Sequence, residues 1–549
     1  IYMAHNTANN QFNGNLYLTN LSTGSIYLSG NGSSVMAAGK NIYEGSGGFD
    51  SGSLYIYNFT KNSTETFDFT GTNTNVYLNS SVFNGKVRVR VPYLITNYCT
   101  YHDSVYFKTT GPWSMENRGN TFNGTLIIDN TNNGQIIYGY YARDIFNGDV
   151  YINNQSTALI YMAHNTANNQ FNGNLYLKNT GGGSLYFGVG NGSLTLAEEK
   201  FMQVLPEEFN SGLLQIRYLT QLGDASQNLI MSGSAKINIE CSLFNGEIHC
   251  TASEIYLRSS VYNGTSVFEK YGTSSIMTYG GNTFNAHTHF KCGSSGKWYL
   301  AQYIKDIYNS IAEFTVSGSA ELYPIYFASG VDFNNSILVN SNASGGIYFG
   351  YSLSNTNLSE SNTLAVGADG FSSGTLYLRN FHQSGTTTQN IELGGTAMLR
   401  LENGNWFEGK ATLKSPQLIL NGTEFFGKAS IEKTGAGNNI SNGGNRFNDS
   451  TLIINSGSGD MYLSNTTTDD YNAPVLFRRT GSGNLFPAYN VNCTFAKSIS
   501  TVGSTASVIF GASSGRVIID SESDKDIFGD VSAPPIFKRL RMNTSLGAA

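Results

Sequence analysis

The side chains best able to do chemistry in this 549-residue chain are few and scattered. His287-Thr288-His289 puts two imidazoles at alternate positions, so an extended strand would carry both on one face, half of a zinc-type site. Cys292 follows near the end of the same segment. Read against the inward pattern of neighbouring strands, both imidazoles are expected to face solvent and to hold no metal. His5 and His164 occupy matching places, but the third copy, aligned as Ile325-Tyr326-Phe327-Ala328-Ser329, lacks the histidine, so no role needing it in every copy is expected. Glycoside chemistry would need two carboxylates facing one another across a groove. Asp469-Asp470 and Glu207-Glu208 are isolated pairs that do not recur, and they read as solvated turns. No phosphate-binding loop, nucleophile elbow or Cys-x-x-Cys pair is present. The expectation is a protein without catalytic residues, cofactor or metal, and not an enzyme.

Tyrosine is the chemically distinctive residue that does recur. Tyr17, Tyr55, Tyr77, Tyr176, Tyr256, Tyr377 and Tyr462 each sit between two apolar residues. Where the flanking residues point inward, the tyrosine points outward, and stacked copies would form aromatic columns suited to contact. The plainer alternative is that tyrosine is simply a good, half-buried strand residue.

These residues must be positioned by a repeat. Residues 160–177 are identical to residues 1–18, which makes the chain a tandem array. The small unit is a Phe-Asn-Gly corner followed by alternating apolar residues. It is seen at Phe12-Asn13-Gly14, Phe83-Asn84-Gly85, Phe122-Asn123-Gly124, Phe171-Asn172-Gly173 and Phe244-Asn245-Gly246. Degenerate corners are read at Phe49, Phe209, Phe371 and Phe426. From Phe146 the gaps between corners run 25, 38, 35, 18, 22 and 24, and from Tyr308 they run 25, 38, 36, 19, 21 and 24. A super-repeat of about 162 residues follows. It divides the chain into a partial copy at 1–145, full copies at 146–307 and 308–470, and a partial copy at 471–523, with a cap, linker or next-domain start at 524–549. That last segment carries Pro534, Pro535 and the basic residues Lys538, Arg539 and Arg541. The chain begins mid-repeat without Met and reads as a slice of something longer.

Alternation such as Leu54-Tyr55-Ile56 marks strands with one buried face, and Gly and Asn between them mark turns. Asn-Gly could close hairpins instead, so a meander competes. A unit of 18–25 residues favours one coil of a parallel β-helix, and the gaps of 35–38 suggest two coils each. The expected fold is an all-β, right-handed parallel β-solenoid with Asn ladders and aromatic stacks running from coil to coil.

Composition agrees. Charged residues are 13% of the chain, hydrophobic residues 40%, Pro only 9, and the net charge is −6. Without a basic stripe, nucleic acid is not an expected partner. No apolar run is long enough for a membrane helix, so this segment is not expected to insert into a membrane. The five cysteines, an odd number that does not follow the repeat, read as free thiols rather than a disulfide framework. The frequent Asn-x-Ser/Thr sequons are assigned no function.

The string GFSSGTLYLRNF at 370–381, the run SPQLILNGTEFFGKASIEKTGAGNNISNGGNRFN at 415–448 and GNTFNG at 119–124 resemble a known pattern. They are similar to the long repeat regions of giant cell-surface proteins of gliding and predatory Bacteroidota, a likeness that covers most of residues 1–520. The resemblance implies export by the type 9 secretion route and an extracellular location on a surface appendage. It implies an adhesin or a contact filament of the grappling-hook kind, used in attachment or bacterial predation. The partners expected are parallel copies of the same shaft, and other cells or their surface glycans. The competing readings are a carbohydrate-active β-helix enzyme and a glycan- or receptor-binding fibre module.

Overall fold

The computed structural model of the chain describes residues 1–4, 6, 10–327, 330–351, 354–503, 508–520, 528–531 and 536–543. His5, Ser329, Pro534 and Pro535 lie outside the described residues. Two compact units are present, residues 1–270 and 271–549, and each is built in the same way. Every described element is a strand or turn, and neighbouring strands pair in parallel across one coil. The fold is a parallel β-solenoid with three strands per coil.

One coil of the first unit shows the design. Val82–Phe83 forms the first face, Val87–Val91 the second and Tyr93–Asn97 the third, and Thr100–Tyr101 then begins the next coil. Pairing is in register: Val82 lies against Thr100, Val87 against Val105 and Asn75 against Tyr93. Backbone groups are therefore satisfied by the coils above and below rather than within a hairpin. Alternation sorts the side chains. Val87, Val89 and Val91 are buried while Arg88 and Arg90 point out, and Leu54 and Ile56 are buried while Tyr55 and Tyr57 point out.

The Phe-Asn-Gly corner has three separate jobs. The aromatic ring enters the core and stacks on the ring of the next coil. In the first unit Phe83, Tyr101, Phe122, Phe146 and Phe171 form one column with centroid spacings of 5.4, 5.0, 5.3 and 4.6 Å. In the second unit Phe407, Phe425, Phe447, Tyr471 and Phe495 do the same at 5.5, 5.1, 4.8 and 4.8 Å. The Asn points outward into an amide ladder: the Nδ2 of Asn147 donates to the Oδ1 of Asn123 at 2.7 Å, and Asn172 donates to Asn147 at 2.7 Å. The Gly permits close approach of coils, because a Cβ on Gly173 would lie 2.2 Å from the carbonyl oxygen of Gly148.

Two expectations about the corners are corrected. Phe49, Phe209 and Phe371 are not corners of the first face. Each ends an eight-residue second-face strand, at Ile42–Phe49, Met202–Phe209 and Leu364–Phe371, where the register shifts around a bulge. The true first-face positions between Phe171 and Phe244 are Leu196 and Gln221, so those two gaps together hold three coils instead of four. The second change is one residue long. Phe425 is the inward corner with no exposure, while Phe426 is 44% exposed.

The super-repeat also carries a recurring polar break in the column. Lys61, Gln221 and Gln383 occupy equivalent first-face positions, and all three are fully buried. Each turns its donor onto carbonyls of the turn that follows. Lys61 Nζ reaches Ser63 O at 2.9 Å, Gln221 Nε2 reaches Ala225 O at 2.6 Å, and Gln383 Nε2 reaches Gly385 O at 2.9 Å. Burial lowers the Lys61 ammonium to about 8, and the nearby Glu65 partly opposes this. A second donor position lies at the end of the second-face strand. Asn130, Asn154, Asn179 and Asn455 each donate to a carbonyl four residues ahead, and the buried Lys433 ammonium reaches the Gly435 and Gly459 carbonyls at 2.6 and 3.0 Å. Buried polar groups survive here because each closes a turn.

The C-terminal segment continues the pattern where it is described. Phe528–Val531, Ile536–Phe537 and Leu540–Asn543 pair in parallel with Ile499–Gly503, Ile509–Phe510 and Val517–Asp520.

Candidate functional site

The outward tyrosines do not form one surface. Tyr55 and Tyr77 belong to the third face of the first unit, in a run Tyr2, Tyr27, Tyr55, Tyr77 with spacings of 4.5, 4.2 and 4.4 Å. Interplanar angles of 15°, 3° and 5° mean that each ring covers the face of the next. Tyr17 and Tyr176 lie on the second face instead. Tyr17 stacks on Tyr43 at 5.4 Å and is 69% exposed, and Tyr176 stacks on Tyr151 at 4.4 Å. Tyr256 has no tyrosine above it in its strand pairing. Its register partner is Asn238, and its hydroxyl donates to Glu254 at 2.8 Å. In the second unit Tyr299, Tyr323 and Tyr348 stack at 4.5 and 4.8 Å. Tyr377 follows at 5.7 Å, tilted by 41° beneath the Arg400 guanidinium. Tyr462 stacks on Phe486 at 4.7 Å and donates to Asp460 at 2.9 Å. Burial, with the paired carboxylate as a further cause, pushes the Tyr256 and Tyr462 phenols up to about 12. Face-to-face stacking buries the ring faces against one another, so these runs present ring edges and hydroxyls to solvent. Within these runs, ring faces are open only at the ends and at tilted rings such as Tyr377.

The corner residues named above hold the frame. Phe83, Phe122, Phe171 and Phe244 are buried, with Gly85, Gly124, Gly173 and Gly246 against the preceding coil's backbone. Phe12 is only half-buried and meets Phe59 at 6.1 Å, and Gly14 has open space where a Cβ would stand.

The histidine pair behaves differently from expectation. Thr288 points inward and both imidazoles lie on the outward side, but neither stands free in solvent: the His287 side chain is 43% exposed and that of His289 15%. The Nε2 of His289 lies 2.8 Å from the Thr315 hydroxyl. Both imidazoles approach the same carboxylate oxygen of Glu313, at 3.3 and 3.7 Å. Its other oxygen accepts from Asn340 Nδ2 at 2.7 Å. Burial lowers the His289 imidazole, with Glu313 opposing. Among the described residues no group of three or more His, Cys, Asp or Glu is arranged to hold a metal ion. His164 also needs a correction. The third-face strands Leu159–Met162 and Glu321–Tyr323 align Tyr161 with Tyr323, so Tyr326 stands where His164 does, three residues before Ser329. The position keeps a ring packed on its neighbours: His164 lies 5.1 Å from Tyr161, and Tyr326 lies 4.3 Å from Tyr299.

The expectation that Asp469-Asp470 forms a solvated turn is corrected: Asp469 is buried and begins the strand Asp469–Tyr471, and it is one of three recurring acids. Asp144, Asp306 and Asp469 are buried, each two residues before a corner ring. Each sits one coil beyond a Gly-Asn step and accepts from that asparagine. Asn120 donates to Asp144 through its backbone N–H at 2.6 Å and its Nδ2 at 3.1 Å. Asn282 donates to Asp306 at 2.7 and 3.0 Å, and Asn445 to Asp469 at 2.9 and 2.8 Å. Burial raises these carboxyls to about 7, 7 and 6, with the donors holding them down in part. The signal was present as Asp144-Ile145-Phe146, Asp306-Ile307-Tyr308 and Asp469-Asp470-Tyr471. The three acids belong to separate coils, and each closes its own corner.

The five cysteines are free thiols, four buried and Cys241 half-buried. Burial raises the Cys99, Cys250 and Cys493 thiols, which keeps them protonated and unreactive. No helix is long and apolar enough to cross a membrane among the described residues. Comparison with protein-family models, with characterised proteins and with solved structures finds no match to this chain.

Proposed function

We propose that this chain is part of the shaft of an extracellular surface filament or adhesin, holding a cell to another cell or to a surface without catalysis. One observation carries the reading. The features that recur once per super-repeat each serve coil-on-coil continuity: the buried Asp under its Asn, the buried donor that interrupts the ring column, and the second-face bulge. A repeat copied for its frame suits a load-bearing spacer, in which coil number sets reach. Secretion by the type 9 route and a role in prey capture belong to the same proposal and rest on the sequence resemblance. Outward tyrosines and low charge support side-by-side association of identical shafts.

Single-molecule pulling on the chain tests the mechanical reading. A shaft gives a saw-tooth of similar steps as coils of roughly 23 residues peel away, each releasing about 80 Å of extended chain. One collapse at low force, or turnover of a polysaccharide by the purified protein, contradicts it.

A further inference from the structure

The second face of the first unit contains a cavity of about 440 Å³, within the range of ordinary small-ligand sites. It opens between successive coils and is lined by Lys86, Arg88, Arg90, Ser104, Tyr106 and Ile127, among others. The cationic side chains are unevenly committed. Arg90 is tied down, with Nη2 on Asp68 at 2.9 Å and Nε and Nη2 on the Thr70 hydroxyl at 3.1 and 2.8 Å. Arg88 spends one N–H on the other oxygen of Asp68 at 3.3 Å and is 52% exposed. Lys86 is exposed and makes no ion pair among the described residues. One carboxylate thus orients two guanidiniums while leaving the Arg88 fork and the Lys86 ammonium open toward the cavity. Tyr106 is fixed beside them by its hydroxyl, which donates to Asp129 at 3.0 Å, so its ring stands as a wall with Ile127.

The internal repeat sharpens this. The inward residues Val87 and Val89 have apolar counterparts in Ile248 and Cys250, and in Ala411 and Leu413. The outward residues are not kept: Lys86, Arg88 and Arg90 become Glu247, His249 and Thr251, then Lys410, Thr412 and Lys414. Asp68, which orients the guanidiniums, is replaced by Asn228 and Asn390 at the matching outward positions. The cationic cavity therefore belongs to one coil set, a local elaboration of a repeated frame.

We propose that this cavity binds an anionic sugar unit, a carboxylated or sulfated residue of an extended polysaccharide. The Arg88 fork suits a planar carboxylate or a sulfate bidentately, and Lys86 adds a point charge. The Ser104 and Thr66 hydroxyls and the Tyr106 ring provide the hydroxyl and ring contacts that sugars use. The site gives contact chemistry to the shaft proposed above, but stands or falls separately, because it is read by equilibrium binding rather than by force.

The test is calorimetric titration of the whole chain with trigalacturonate, a chondroitin sulfate hexasaccharide, a neutral cello-oligosaccharide and an oligoglutamate peptide, at low and high salt. Binding of one or both acidic sugars, weakened by salt and by at least tenfold in Lys86→Gln and in Arg88→Gln, while Lys428→Gln on the second unit binds normally, is the expected result. Preference for the carboxylated or the sulfated oligomer identifies which anion the fork takes. Both substitutions are on exposed side chains, and far-UV circular dichroism checks that the strands persist. No acidic-sugar binding, equal binding of the neutral sugar, equal binding of oligoglutamate, or unchanged affinity in both variants would overturn the proposal.

Discussion

At the scale of single residues, the corner column shows how a core can be periodic and still imperfect. Phe146, Tyr308 and Tyr471 are equivalent, yet the two tyrosines bury hydroxyls with no hydrogen-bond partner among the described residues. A buried hydroxyl left unpaired costs roughly 1–3 kcal/mol. Tyr308→Phe and Tyr471→Phe should therefore each raise stability by about 1 kcal/mol, read as a higher urea midpoint. Phe122→Ala should do the opposite and cost about 3–5 kcal/mol, because it opens a cavity between two stacked rings. The buried acids make a prediction in pH. Burial lifts Asp144 and Asp306 from 3.8 to about 7, and Asp469 to about 6. Between those values the folded chain binds more protons than the unfolded chain, so the contribution is full below about pH 4 and is lost as pH rises toward 7. Thermal midpoints should fall between about pH 4 and pH 7, and the triple variant Asp144→Asn/Asp306→Asn/Asp469→Asn should flatten that fall. A profile unchanged by the triple variant would show that these carboxyls are not its source.

At the scale of the coil, glycine and asparagine set how closely strands approach. A Cβ on Gly173 would lie 2.2 Å from the Gly148 carbonyl oxygen, whereas Gly437 has open space around it. Gly173→Ala should lower the thermal midpoint by several degrees or more, and Gly437→Ala should leave it within about a degree, since the first must push coils apart and the second need not. The same contrast explains what could be read from the sequence. Phe-Asn-Gly was legible because its three residues do separate jobs that no other residues do together: a ring into the column, an amide into the outward ladder, and no side chain at the point of close approach. Phe209 and Phe371 misled because a ring at the end of a bulged second-face strand leaves the same local trace as a ring at a corner. The true corner residues there, Leu196, Gln221, Leu358 and Gln383, lack the aromatic signature. Phe425 and Phe426 could be separated only by knowing which parity faces inward. The cavity around Arg88 was legible only in part: Lys86, Arg88 and Arg90 alternate along one strand in the sequence, but Asp68, Tyr106 and Ile127 meet them only when coils stack.

At the scale of the whole molecule, the frame is repeated and the outward residues vary, which is how one scaffold carries contact chemistry at chosen coils. If identical shafts associate through their outward tyrosines, light scattering should give a mass above the 59.5 kDa of one chain. Glu replacement of the exposed Tyr17 should lower that mass. Scattering at the single-chain mass at all concentrations would remove association from the account. The central claim is that each residue lies beside its counterpart one coil away, in parallel and in register. Cysteine pairing tests it most directly. Parallel neighbours are about 4.8 Å apart, within the span a disulfide needs. The double variant Tyr151→Cys/Tyr176→Cys joins a register pair on the second face of the first unit. Under mild oxidation it should cross-link rapidly and almost completely, while Tyr151→Cys/Lys178→Cys, offset by two residues, should not. Equal cross-linking of the two, or none in the register pair while the offset pair closes, would contradict the account.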